Sequence, residues 1–219
     1  VLFNKFKMSN QKEQLDAIND IKKLMERSSK FSALSGLSGI IVGIMALVCI
    51  GISYTILGIT PLEPISYLSI LNRDGAIDTE LLKLLIINFS VVLLASFLTA
   101  IWLSNKNAVK KGEQIWDLTA KRMLINFSIP MFAGGAYCFI LFTQNHIELI
   151  LPATLLFYGL ALLNASKYTV EDIKYLGVLL VLLGLFASIY VDEALLLWGI
   201  GFGALHIVYG SFMYFKYEK

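Results

Sequence analysis

Residues 31–62, FSALSGLSGIIVGIMALVCIGISYTILGITPL, run for 32 positions without a charged side chain. A helix rises about 1.5 Å per residue, so roughly 20 apolar residues cross the 30 Å or so of bilayer hydrocarbon, and this window exceeds that length. The apolar residues are continuous rather than alternating, which suits a lipid-facing helix and not a strand of an outer-membrane barrel. Ser35, Gly39, Gly43 and Ala46 recur at three- or four-residue steps inside it, so one face of the helix is small enough for another backbone to approach closely. A charged arm precedes the window, the apolar stretch is longer than a signal-peptide core, and no small-residue cleavage pattern follows. The window is therefore expected to remain as a membrane helix.

Five more charge-free windows follow, at 84–105, 123–147, 149–166, 175–191 and 194–215. Together they predict an all-α membrane protein, a six-transmembrane-helix bundle over 33–219, with spans near 33–58, 81–104, 123–143, 147–165, 174–191 and 194–215. Residues 1–32 form a separate cytoplasmic arm. Composition points the same way, with 57% hydrophobic and 16% charged residues, where a soluble domain carries about 25% charged. Too few polar side chains exist to cover a water-facing surface, which excludes a disordered chain, a basic nucleic-acid-binding domain and most soluble enzymes. Val1 stands where Met is usual and Met8 heads a more ordinary start, so residues 1–7 are expected to fall outside the working protein.

The net charge of +2 conceals a strong asymmetry. Sixteen of the eighteen Lys and Arg residues fall in the arm, in 104–122, in 165–174 and in the tail, whereas the three intervening loops hold only Arg73. Lys83 lies just inside the second span. Positive residues stay on the cytoplasmic side, so both termini are expected there, in a bacterial inner membrane.

Outside the bilayer, residues 9–32 read as an amphipathic helix. Asn10 and Glu13 have capping-box spacing, and Leu15, Ile18, Ile21 or Lys22, and Met25 recur at helical intervals. Such an arm lies on the inner leaflet or against the bundle, or else residues 9–30 dock a soluble cytoplasmic protein or a second copy in a homo-oligomer. The first outer loop, with Pro61, Pro64 and the Asn72-Arg73-Asp74-Gly75 turn, allows a short interfacial helix at Ile65 to Leu71. Residues 104–122 place Lys106, Lys110, Lys111, Lys121 and Arg122 around Ile115, Trp116 and Leu118, an anchor for the lipid bilayer and not for nucleic acid.

Few residues carry chemistry. His206 stands near the centre of the sixth span and shares the face of Gly199, Gly203 and Gly210. An ionisable group at that depth marks a ligand or proton pathway, or else is a neutral ring hydrogen-bonded to a neighbour. Tyr209, Asn88, Thr99 and Asn126 are the other pathway candidates. Pro130 must free the carbonyl of Asn126, four residues earlier, and Gly134 and Gly135 follow, so a bend is expected there. Gly39, Gly43, Gly199, Gly203 and Gly210 are expected to pack helices, with a weaker version in Gly177, Gly184 and Ser188. The only other histidine, His146, sits half a bilayer away at an outer turn, so a bis-histidine haem is excluded. No metal cluster, cofactor or catalytic residue is expected, and Cys49 and Cys138 form no disulfide framework. An enzyme would have to rest on His206 with Tyr209, Tyr158 or Tyr137. Ala153 to Tyr158-Gly159 aligns with Ala204 to Tyr209-Gly210 at an offset of 51 residues, which suggests a duplicated hairpin.

The arm LDAINDIKKLMERSS at 15–29, running into Leu34 to Gly39, together with YGLALLNASKY at 158–168 and LHIVYG at 205–210, resembles uncharacterised six-helix membrane proteins of the Bacteroidota. The resemblance implies a multi-pass inner-membrane protein and carries no activity or site with it. The glycine-spaced hairpin of the last two helices is more loosely similar to the HdeD-like acid-stress membrane proteins, although the long arm departs from them. The expectation is a non-enzymatic regulatory, stress-related or accessory membrane component. The alternative is a small transporter or channel using the polar face of the second helix and His206, and third comes a membrane-embedded enzyme.

Overall fold

The computed structural model describes residues 35–60, 78–111 and 118–219. The amphipathic arm, the loop with Arg73 and its expected short helix, and the stretch holding Ile115 and Trp116 lie outside the described residues. Within them the chain is an all-α membrane bundle with no strand. Helices α1 (Gly36–Leu57), α2 (Thr79–Lys111), α3 (Leu118–Thr143), α4 (Ile150–Ala165) and α5 (Ile173–Ile189) are followed by α6, a composite span over Val191–Tyr217. Counting the turn that leads into α4, five of these are long and apolar enough to cross a membrane, and α5 is a 17-residue apolar helix. At 33 residues, α2 is about 50 Å long and overruns the hydrocarbon, which is why Lys106 and Lys110 stand exposed at its end.

Helix α1 packs between α2 and the second half of α6, and α4 packs between α3 and α5. The first half of α6 joins the two groups, burying Leu155, Leu176, Leu180, Ala187, Ala194 and Leu197 in one cluster. Ile87, Val91, Leu94 and Leu98 on α2 are left exposed, a surface that suits lipid and not water. Pro130 sits inside α3 without ending it.

Small residues set the distances between backbones. A Cβ on Gly210 would lie 2.6 Å from the Gly36 carbonyl oxygen and 2.6 Å from the Ile40 nitrogen, and one on Gly43 would lie 2.7 Å from the Gly203 oxygen. The same contact recurs between α4 and α5, where a Cβ on Gly159 would lie 2.7 Å from the Gly177 oxygen. No larger side chain fits at either crossing without moving a helix. The two hairpins also share a three-residue 3-10 turn before their second helix, Ile147–Leu149 and Val191–Glu193. Counted from those turns the offset is 44 residues rather than 51, so Tyr158-Gly159 corresponds to Phe202-Gly203.

The start of α1 and the tail after α6 are fastened together at one end of the bundle. Helix α1 starts after Ser35 in extended backbone, with no capping bond from its own side chain. The Glu218 carboxylate accepts the Gly36 N–H and the Ser35 hydroxyl, placing negative charge at the helix N-terminus. Nearby, Lys216 Nζ lies 2.6 Å from Asp172 Oδ2, and the Tyr217 hydroxyl donates to the same oxygen at 2.8 Å. Partial burial pushes the Asp172 carboxyl up, but the hydrogen bonds from Lys216 and Tyr217 and the charges of Lys216 and Lys174 outweigh it and hold it below the ordinary carboxylate value.

Two outcomes are expected from melting curves in detergent. Gly210→Val should destabilise by about 1–3 kcal/mol through overpacking, whereas Gly51→Ala, whose Cβ would meet nothing within 4 Å, should be neutral or slightly stabilising. For Asp172, a lowered folded pKa means that its contribution is complete above the unfolded value of about 3.9 and is lost as pH falls through the folded value. Asp172→Asn should therefore remove part of the acid-side loss of stability, and an unchanged acid limb rejects the assignment.

Candidate functional site

The buried polar centre forms where α4 meets α6. Three glycines in five residues, Gly199, Gly201 and Gly203, weaken the α-helical preference of this stretch, and Gly199–Leu205 winds as a π-helix. A Cβ on Gly201 would collide with the Leu155 side chain, which is fully buried, so the glycine admits that core residue. His206 begins the next α-helical segment and is 5% exposed. Its backbone N–H points to the Gly203 carbonyl, and ring Nδ1 lies 2.8 Å from the Gly201 carbonyl oxygen.

A carbonyl only accepts, so Nδ1 carries the proton and donates it to Gly201. In a neutral ring Nε2 is then bare, and the Tyr158 hydroxyl on α4, 3.2 Å away, is placed to donate to it. Both ring nitrogens of His206 thus lie within hydrogen-bond distance of a partner. Around it Trp198, Phe202 and His206 stack along α6 at four-residue steps, with centroids 4.6 Å and 5.6 Å apart. Phe89 of α2 meets Trp198 edge-on at 5.0 Å, and Phe127 of α3 meets Tyr158 at 5.9 Å. The Trp198 indole N–H donates to Thr154, whose hydroxyl donates to the Leu151 carbonyl.

The other candidates lie elsewhere. Asn88 faces α1 and donates to the Cys49 carbonyl at 2.9 Å and to the Ser53 hydroxyl at 3.0 Å. Thr99 is half-buried on α2, eleven residues or about three turns from Asn88 on the same stripe. Asn126 sits at the α3–α4 contact and donates to the Arg122 carbonyl. Its own carbonyl, the one Pro130 must free, accepts the Asn164 side-chain N–H at 2.8 Å. Tyr209 packs against the main core cluster, and among the described residues its hydroxyl is buried without a hydrogen-bond partner. Gly39, Gly43, Gly203 and Gly210 lie in the α1–α6 crossing, and Gly199 faces Ile50 of α1. The pathway candidates are therefore distributed over three separate helix contacts and do not converge.

His146 lies at the far end of the bundle, paired with Glu148 at 3.2 Å. Among the described residues no three His, Cys, Asp or Glu side chains gather to hold a metal. Sequence reasoning missed Trp198, Thr154 and Asn164, which are polar only at one edge and acquire meaning through helices far away in sequence. The Gly-x-Gly-x-Gly run at 199–203 was the available signal for the π segment.

Removing the Tyr158 hydroxyl leaves His206 Nε2 unpartnered. Tyr158→Phe should destabilise by about 1–2 kcal/mol, whereas Tyr137→Phe, on an exposed residue, should not. In a double-mutant cycle with His206→Leu, additivity of the two effects rejects the bond. No protein-family model, curated protein or solved structure matches this chain.

Proposed function

We propose that this integral membrane protein is a non-enzymatic regulatory, stress-related or accessory component that acts through helix packing and its N-terminal arm. In the same proposal it resides in a bacterial inner membrane with both termini cytoplasmic, and is grouped with the six-helix membrane proteins of the Bacteroidota. The observation that carries the reading is the use made of the polar side chains inside the bundle. His206, Asn88, Asn126 and Asn164 all bond to backbone carbonyls, and none points with another into a shared site. Charge supports the orientation. Lys106, Lys110, Lys121, Arg122, Lys174, Lys216 and Lys219 are exposed at the end that holds the C-terminus.

The second reading, a small transporter or channel, is favoured by one observation, the buried Tyr209 hydroxyl, a polar group left for a water or a passing solute.

Deleting residues 9–30 from the full chain separates the two. The accessory reading expects a folded bundle that no longer co-purifies with a soluble protein and that gives no pH-dependent flux in liposomes. Unchanged co-purification rejects the role of the arm. A flux that His206→Ala abolishes without loss of thermal stability replaces the accessory reading with the transporter.

A further inference from the structure

Among the described residues the Tyr209 hydroxyl is the one buried side-chain polar atom without a hydrogen-bond partner. A hydroxyl out of solvent is costly to leave bare, and a bound water is the usual remedy where other polar groups come within its reach. The surroundings of Tyr209 supply such a group. Tyr209, Met213 and Tyr217 recur at four-residue steps along α6 and so share a stripe, on which Met213 is buried. At the end of that stripe the Tyr217 hydroxyl and Lys216 Nζ reach Asp172, and both contacts fall on Oδ2. The lone pairs of Oδ1 lie outside that contact. Asp172 is the N-cap residue of α5, with Leu176 one turn further in, and Tyr209 packs against the cluster to which Leu176 belongs. Asp172 and Tyr217 are also the groups whose electrostatic influence reaches the Tyr209 hydroxyl. The carboxylate is thus near enough to be felt and too far to be bonded directly.

We propose that a bound water joins the Tyr209 hydroxyl to Asp172, beneath the contact that Lys216 and Tyr217 make with the same carboxylate. Tyr209 donates to the water oxygen, and the water donates to Asp172 Oδ1. The chemistry of the place selects water over other ligands. An anion would meet the Asp172 carboxylate, and a metal ion would need further ligating side chains, which do not gather here among the described residues. The bridge has a structural consequence. Lys216 is 45% exposed, and an ion pair so open to solvent and salt contributes little by itself. A water held by Tyr209 lies out of solvent and ties α6 to the start of α5 from the inside. The inference takes up the hydroxyl that favours the transporter reading and assigns it to a water that stays in place. Liposome flux does not measure this, so the two can fail separately.

The first test is magnetisation transfer from water to the tyrosine Cζ carbons in the unaltered full chain, reconstituted in liposomes, with Tyr209 assigned through Val208 and Gly210. The Tyr209 signal should build up several-fold faster than that of Tyr158, whose hydroxyl faces His206. Equal build-up overturns the proposal. The second test is the sign of a stability change. A hydroxyl bonded to water loses a hydrogen bond in Tyr209→Phe, so the folding equilibrium constant should fall at least about threefold, the size of an average hydrogen bond inside a membrane bundle. A hydroxyl with no partner gives the opposite sign, because its removal takes away a buried unsatisfied group. An unchanged or raised constant therefore overturns the proposal. In a background of Asp172→Ala the water has lost its acceptor, and the effect of Tyr209→Phe should shrink towards none, whereas additivity of the two substitutions overturns the bridge. The spectroscopic test needs no substitution and decides the matter if either variant fails to fold.

Discussion

A carbonyl oxygen in hydrocarbon has no water to bond to, and this constraint organises the polar chemistry of the bundle. Where the α-helical pattern is disturbed, a particular side chain supplies the donor. Pro130 removes the N–H that would have bonded the Asn126 carbonyl, and Asn164 on the neighbouring helix takes its place. The π segment in α6 changes the spacing of its carbonyls, and the His206 ring donates to the one five residues back. Asn88 and Ser53 both donate to the Cys49 carbonyl. His206, Asn88 and Asn126, three of the polar residues within the spans, each bond a backbone carbonyl.

Close packing follows from a second constraint. Lipid chains are as apolar as leucine, so helices gain little by hiding leucine from lipid and must gain contact by approaching closely. The α1–α6 and α4–α5 crossings do this with glycine on both sides. The tail then locks the first crossing at one end, because Glu218 caps α1 and Lys216 with Tyr217 holds Asp172 at the start of α5.

Much of the fold was legible in the sequence. Charge-free windows reveal spans directly, because length and the absence of charge are the physical conditions for crossing a bilayer. The glycine faces of α1 and α6 were legible from spacing, and Pro130 identified the carbonyl of Asn126 as an orphan before any partner was known. The partner itself was not legible, since Asn164 lies 38 residues away and nothing in its surroundings marks it. The π segment was hidden because glycine at 199, 201 and 203 serves packing and irregular winding equally well. Likewise Glu218 appears as one more tail charge until it is seen against a helix start 182 residues earlier. At the candidate site, His206 was legible as the unusual residue, but whether its two nitrogens were committed depended on Tyr158, which only the packing of α4 on α6 brings near.

The central claim is that His206 is a neutral ring holding two helices and a π segment together. Its most direct test is the nitrogen-15 spectrum of His206 in the membrane-reconstituted protein at neutral pH. The account predicts a single neutral tautomer, with the proton on Nδ1 and with Nε2 bare and accepting a hydrogen bond. A proton on Nε2 instead, or an imidazolium signal, would contradict it.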